Sequence, residues 1–149
     1  MSEQLTTNFT YEEFIASTTA VRLGIDNTPP PEIEENIRNI LAPNAQTIRN
    51  FLGFPVLVDS GYRCEALNTA VKGVPNSAHT QGYAMDFVCP SFGTPKQIVE
   101  AIVKGNIKYD QCIEEGTWVH ISFDPRLRQQ TLTAEFNGKG VATYRAGVS

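Results

Sequence analysis

Two short runs of alternating residues constrain this chain more than any other feature of it. Residues 83–89 read Tyr-Ala-Met-Asp-Phe-Val-Cys, and residues 117–123 read Thr-Trp-Val-His-Ile-Ser-Phe. In an extended strand, residues two apart share a face. One face of the first run therefore carries Ala84, Asp86 and Val88, and the other carries Tyr83, Met85, Phe87 and Cys89. The second run places Trp118, His120 and Ser122 on one face and Val119, Ile121 and Phe123 on the other. If the two strands are neighbours, Asp86 and His120 project from one sheet surface while Phe87, Val119, Ile121 and Phe123 enter the core. His79 follows a loop containing Gly73, Pro75, Asn76 and Ser77, and it can fold over the same surface.

His79 and His120 are the only histidines in the chain. A His, Asp, His set leaves one position of a tetrahedral zinc open for water, which is what a catalytic site requires and a structural one does not. Gly82 and Ala84 are then expected to let backbone and substrate approach closely. A water activated there needs a base, and Glu115, five residues before His120, is expected ahead of Glu114, which strand alternation turns the other way. Arg63 offers a planar, two-pronged cation for a substrate carboxylate or an oxyanion. Each of these residues also has a plainer reading. A single histidine beside a strand is more often a hydrogen-bonded structural residue than a ligand. Glu114 and Glu115 could be solvated turn residues, Arg63 the partner of Glu65, and Trp118 a wall or core residue.

The remainder of the chain reads as scaffold. Its 149 residues suit one domain spanning 1–149, large enough to bury a core without staples. Thr10 and Glu13 form a capping box with Phe9 stapled onto Phe14, so a short helix is expected to about Ser17, followed by an ordered loop over 21–31. Ile33, Ile37, Leu41, Ile48 and Leu52 recur at helical spacing, with Pro43 breaking or kinking the run and Gly53 ending it. Strands are expected over 55–60, 111–114, 131–136 and 141–145, the last two turning at Asn137-Gly138. A helix over 95–104 starts at the capping box of Thr94 and Gln97. Helices and strands alternate too irregularly for a parallel βαβ protein, so the fold class is α+β: N-terminal helices packed on a small antiparallel sheet that carries the zinc site.

Charge and cysteine content narrow the partners. A formal net charge of −4 argues against nucleic acid, which needs clustered Lys and Arg to release counterions. No apolar run approaches the roughly 18 residues of a membrane span, so no membrane insertion is expected. Cys64, Cys89 and Cys112 are an odd count without a Cys-x-x-Cys pair, so they are expected reduced and mostly buried. The first residues lack the basic start and apolar segment of a signal peptide, so the chain is expected to fold in a cytoplasm or to be exported by means not written in its sequence.

The pattern Ser77-x-His79-x-x-Gly82-x-Ala84-x-Asp86, followed by Glu115-x-x-Trp118-x-His120, closely resembles the zinc D-alanyl-D-alanine carboxypeptidase family, which also contains phage endolysins. The similarity is to its small single-domain branch and covers nearly the whole chain, including Phe9-Thr-Tyr-Glu-Glu-Phe14, Ser60-Gly-Tyr-Arg63, Ala66-Leu-Asn68 and Asp110-Gln111. By that resemblance His79, Asp86 and His120 are the ligands of one zinc ion and Glu115 is the general base. Arg63 becomes a catalytic and substrate-facing cation, with Ser77 and Trp118 as further substrate-contacting residues. The implied fold is that of DD-peptidases and the related Hedgehog signalling domain. The implied substrate is the peptide part of peptidoglycan, cut either at D-Ala-D-Ala or at L-Ala-D-Glu by a monomer of phage or prophage origin. Two departures stand out: Cys64 replaces a usual serine, and Glu115 lies five residues from His120 where other branches place it three away. The contrasting function is a non-catalytic structural or binding module of a phage particle that keeps the fold.

Overall fold

In the computed structural model, which describes residues 3–139 and 142–148, the chain enters its first helix through the expected capping box. Glu13 accepts a hydrogen bond from the Thr10 amide at 2.6 Å, and the Phe9 and Phe14 rings meet at 5.5 Å between centroids above α1 (Tyr11–Ile15). The segment after it is not all loop. Ser17 accepts from the Ala20 amide and starts α2 (Thr18–Leu23), which Gly24 ends in a left-handed conformation. The hydroxyl cap and the stopping glycine offset the weak helical preference of two threonines.

Pro43 neither breaks nor ends the next helix. α3 (Pro31–Asn36) runs into a π-helical stretch over Ile37–Leu41, and α4 (Ala42–Leu52) continues from it. A proline inside an α-helix removes one N–H and crowds the carbonyl four residues back. The wider turn immediately before Pro43 accommodates both defects, and Asn44 donates its side-chain amide to the Ile40 carbonyl at 2.8 Å. The apolar stripe of this long segment, Ile37, Leu41, Ala45, Ile48 and Leu52, is buried as its spacing requires.

Among the described residues the strands form one six-stranded sheet in the order β1-β2-β4-β3-β5-β6. They are β1 (Leu57–Ser60), β2 (Ala84–Val88), β3 (Gln111–Glu114), β4 (Val119–Ser122), β5 (Gln130–Phe136) and β6 (Ala142–Ala146). β2 and β4 are antiparallel neighbours with Asp86 directly opposite His120, and Met85, Phe87, Val119 and Ile121 turn into the core. The long helical segment and α5 (Pro95–Lys104) contribute to that same core, leaving the opposite sheet surface to Asp86, His120 and their cross-strand neighbours. Each large side chain buried there contributes about 2 kcal/mol, which fixes the strand register, because a one-residue slip would turn the whole apolar set outward.

The sheet is mixed rather than antiparallel, because β5 pairs with β3 in parallel. Seven residues, 123–129, carry the chain from the end of β4 around the start of β3 to its far edge. Asp110, immediately before β3, holds that connection. Its carboxylate accepts from the Arg128 amide at 2.9 Å and from the Arg128 guanidinium at 2.9 and 2.8 Å. With the connection pinned at the N-terminal end of β3, β5 can only leave in the direction of β3 itself. Phe136 pairs with Ala142 at the end of the final hairpin, so Asn137 and Gly138 lie between its two strands as expected. Val141, where the pattern starts the last strand, lies outside the described residues.

Candidate metal centre

Three segments deliver the site. Ser77 caps a 3-10 turn, Ala78–Gln81, with its hydroxyl accepting from the His79 amide at 3.2 Å. That turn ends at Gly82, whose φ of +75° is left-handed and whose missing side chain leaves room for Ile33. The close approach at Gly82 is thus to the N-terminal helices and not to a substrate. Ala84 is fully buried and does not line the cavity, so its small size likewise serves packing. β2 and β4 then present Asp86 and His120 across the non-core surface.

His79, Asp86 and His120 converge. The His79 Nε2 lies 3.1 Å from Asp86 Oδ1 and 3.2 Å from His120 Nδ1, and His120 Nδ1 lies 3.0 Å from the same Asp86 oxygen. The tautomer of His79 follows from its other nitrogen. Nδ1 sits 2.7 Å from the Gly61 carbonyl, which only accepts, so Nδ1 carries the hydrogen and Nε2 offers a lone pair. Burial holds His79 below the usual histidine range, with His120 and Arg63 adding to the shift and Asp86 opposing it. A lone pair and a carboxylate oxygen face each other here without a proton between them, an arrangement that a cation relieves.

The donor set fits zinc. Bonds of 2.0–2.1 Å place tetrahedral ligands about 3.3 Å apart, and the three observed separations are 3.0, 3.1 and 3.2 Å. The Gly61 carbonyl orients His79 from behind, as outer partners of zinc-binding histidines do.

Arg63 is more committed than a free substrate-facing cation. Its guanidinium donates to Ser60 Oγ at 3.1 Å, to Asn68 Oδ1 at 3.2 Å and to Asp86 Oδ2 at 3.1 Å. The partner is Asp86, not Glu65. Gly73 makes this packing possible, because a Cβ there would stand 2.0 Å from Asn68 Oδ1 and 3.0 Å from Arg63 Nη1. Asn27 braces the same strand end, donating to the Ile15 and Tyr62 carbonyls and accepting from the Cys64 amide. Sequence reasoning assigned neither Asn27 nor Asn68 a role. Their one signal is an amide side chain inside an otherwise apolar or turn-forming stretch.

A cavity of about 400 Å³ opens onto the cluster, and Glu115, Arg63, Ser77 and Trp118 all line it. Glu115 sits in the turn after β3, where its amide donates to the Trp118 carbonyl at 3.0 Å and Gly116 takes a φ of +88°. Glu114 is one residue earlier, opposite Val119 on the core-facing side, and does not line the cavity. Burial raises the Glu115 pKa, and Asp86 and Glu114 add to the rise against the opposing pull of His120 and Arg63. A half-buried carboxylate with a raised pKa beside a cluster of metal-ligand type is suited to proton transfer. Cys112, by contrast, is fully buried and its thiol is pushed up to about 12, which keeps it inert.

Residues 7–122 match the model of the Peptidase M15 family. The chain belongs to that family. No curated protein matches it. M15 peptidases of the D-Ala-D-Ala carboxypeptidase type depend on zinc, and this member brings together a His, Asp, His cluster able to hold a metal ion. Membership also implies a peptide substrate. Among the described residues no helix is long and apolar enough to cross a membrane. The matched span contains every residue of the cluster, while β5 and β6 lie beyond it.

Proposed function

We propose that this single-domain M15 peptidase hydrolyses peptide bonds in the stem peptides of bacterial peptidoglycan, as a zinc-dependent D-Ala-D-Ala carboxypeptidase or L-Ala-D-Glu endopeptidase. The observation that carries this reading is the convergence of His79 Nε2, Asp86 Oδ1 and His120 Nδ1 at the floor of a cavity that Glu115 also lines. Zinc bound by those three residues would supply a Lewis acid for the scissile carbonyl and an acidified water. Glu115 would accept the proton of that water and return it to the leaving amine, a task its raised pKa suits. Arg63 would hold the outer oxygen of Asp86 and turn its remaining N–H groups to the cavity, where developing negative charge or a substrate carboxylate can accept them. Ser77 and Trp118 would form parts of the cavity wall against which the peptide lies.

This reading extends to biology. The enzyme would act as a monomer of phage or prophage origin, made in the cytoplasm and reaching the wall after lysis or export. The test is mass spectrometry of purified muropeptides incubated with the zinc-loaded protein and with a chelated control. Chelator-sensitive release of D-alanine, or scission between L-Ala and D-Glu, is the expected result and names the bond. Intact muropeptides in both arms would defeat the proposal.

A further inference from the structure

The cavity has two unlike walls, and one of them is built by chain beyond the family-matched span. On one side stand Arg63 and Lys72. On the other, the sheet surface that carries Asp86 and His120 continues sideways: His120 is opposite Ile113 on β3, and Ile113 is opposite Leu132 on β5. Leu132 is in turn opposite Ala146 on β6, so Tyr144, two residues before it, shares the surface. Ile113, Leu132 and Tyr144 all line the cavity. On the hairpin's other face Arg145 pairs with Glu135, and Thr133 donates to the Gly147 carbonyl at 2.7 Å.

Tyr144 is 52% exposed on an edge strand, and among the described residues its hydroxyl makes no hydrogen bond. Glu115 and Asp86 line the same cavity as Tyr144. Phe136 of the same hairpin stands 3.7 Å from where a Cβ of Gly116 would be, so the hairpin also abuts the turn that carries Glu115. An aromatic ring and two aliphatic side chains on this wall favour an apolar group of the ligand over an acidic one. The cationic wall opposite suits the ligand's anionic groups.

We infer that the C-terminal hairpin is the specificity wall of this peptidase, with Tyr144 and Leu132 contacting an aliphatic side chain of the substrate residue next to the scissile bond. The inference rests on the peptidase reading and adds the substrate group that the hairpin selects. Because Leu132 and Tyr144 lie outside residues 7–122, these side chains can differ between relatives that share the cluster.

The experiment compares the zinc-loaded parent chain with Tyr144→Ala and Tyr144→Phe on synthetic stem peptides. The residues flanking the scissile bond are varied in turn among alanine, valine and aspartate. Tyr144→Ala should raise KM for the aliphatic peptides roughly tenfold and erode their advantage over the aspartate peptides, the range expected for loss of apolar contact. Its kcat should change by less than about threefold. Tyr144→Phe should restore the parent KM, and the zinc content of all three proteins should be equal. Unchanged KM and selectivity in Tyr144→Ala, with an active parent, would overturn this inference and leave the peptidase reading standing. So would a fall in kcat alone or a loss of zinc, either of which assigns the hairpin a structural role. A parent that cleaves none of the peptides would overturn both.

Discussion

Asp86 and Asp110 are both buried aspartates at the sheet, and each is held by an arginine. At Asp110 both oxygens are taken by Arg128, one by its backbone amide and Nε and the other by Nη2. At Asp86 only Oδ2 is committed to Arg63, while Oδ1 faces two imidazole nitrogens, one of which must present a lone pair. A carboxylate whose acceptor sites are filled by fixed donors is a strut. One that is held by half and aimed at other lone pairs is a ligand awaiting a cation. The contrast explains how one sheet carries two Asp–Arg pairs of similar local chemistry and different consequence.

Removing the ligand half should have the largest effect. Asp86→Asn is expected to abolish both zinc retention and peptide release, read by metal analysis of the dialysed protein and by muropeptide digestion. Full zinc content in that variant would erase the distinction between the two aspartates. Glu115→Gln should follow, losing about 10²–10⁴-fold in kcat while keeping its zinc. In the metal-free protein burial raises the Glu115 pKa above the ordinary glutamate value of 4.5. The same shift carries a stability sign. A raised carboxylate binds protons more readily folded than unfolded, so its ionised form opposes folding at neutral pH, and metal-free Glu115→Gln should melt slightly higher than the parent.

Arg63→Ala is a smaller perturbation of the same pair. With Asp86 Oδ2 left without its arginine, zinc affinity should fall about 10–100-fold, the usual cost of losing an outer partner, measured by competition with a chromogenic chelator. Arg128→Ala probes the strut. It should lower the melting temperature by roughly 5–10 °C, given about 2–3 kcal/mol for orphaning a buried carboxylate whose arginine is partly in water, and leave zinc affinity unchanged. The strut has a pH signature as well. Arg128 first, against the opposing cost of burial, depresses Asp110 to about 2 from an ordinary 3.8. Its stabilisation is therefore complete above about pH 4 and is lost as pH falls toward 2. Acid denaturation of Asp110→Asn should be correspondingly shallower across that window.

The comparison also marks where the sequence was legible. Strand alternation set Asp86 against Phe87 and His120 against Val119 and Ile121, so burying the apolar residues leaves both ligands on one surface once the two strands are neighbours. The capping boxes at Thr10 and Thr94 were equally readable, since each is a contact between residues three apart. Of the two outcomes expected at Pro43 the structure rules out a break, because the π turn before it absorbs the lost hydrogen bond that propensity counts. The pairing of Arg63 with Asp86 spans 23 positions and that of Asp110 with Arg128 spans 18, and no local rule links such partners. Asn27 is further out still, bridging Ile15, Tyr62 and Cys64 from a loop whose sequence announces only a turn.

What the sequence determined by itself was therefore the set of parts: which residues face which way, where helices begin, and which side chains have metal-binding chemistry. Those properties depend on neighbours within a few positions, where backbone sterics and side-chain periodicity are decisive. Tertiary structure decided the pairings among the parts. It set β5 parallel to β3, brought Tyr144 and Leu132 to the wall of the cavity, and divided two aspartates into a ligand and a strut. Those outcomes depend on which donors reach each buried oxygen once the sheet has closed.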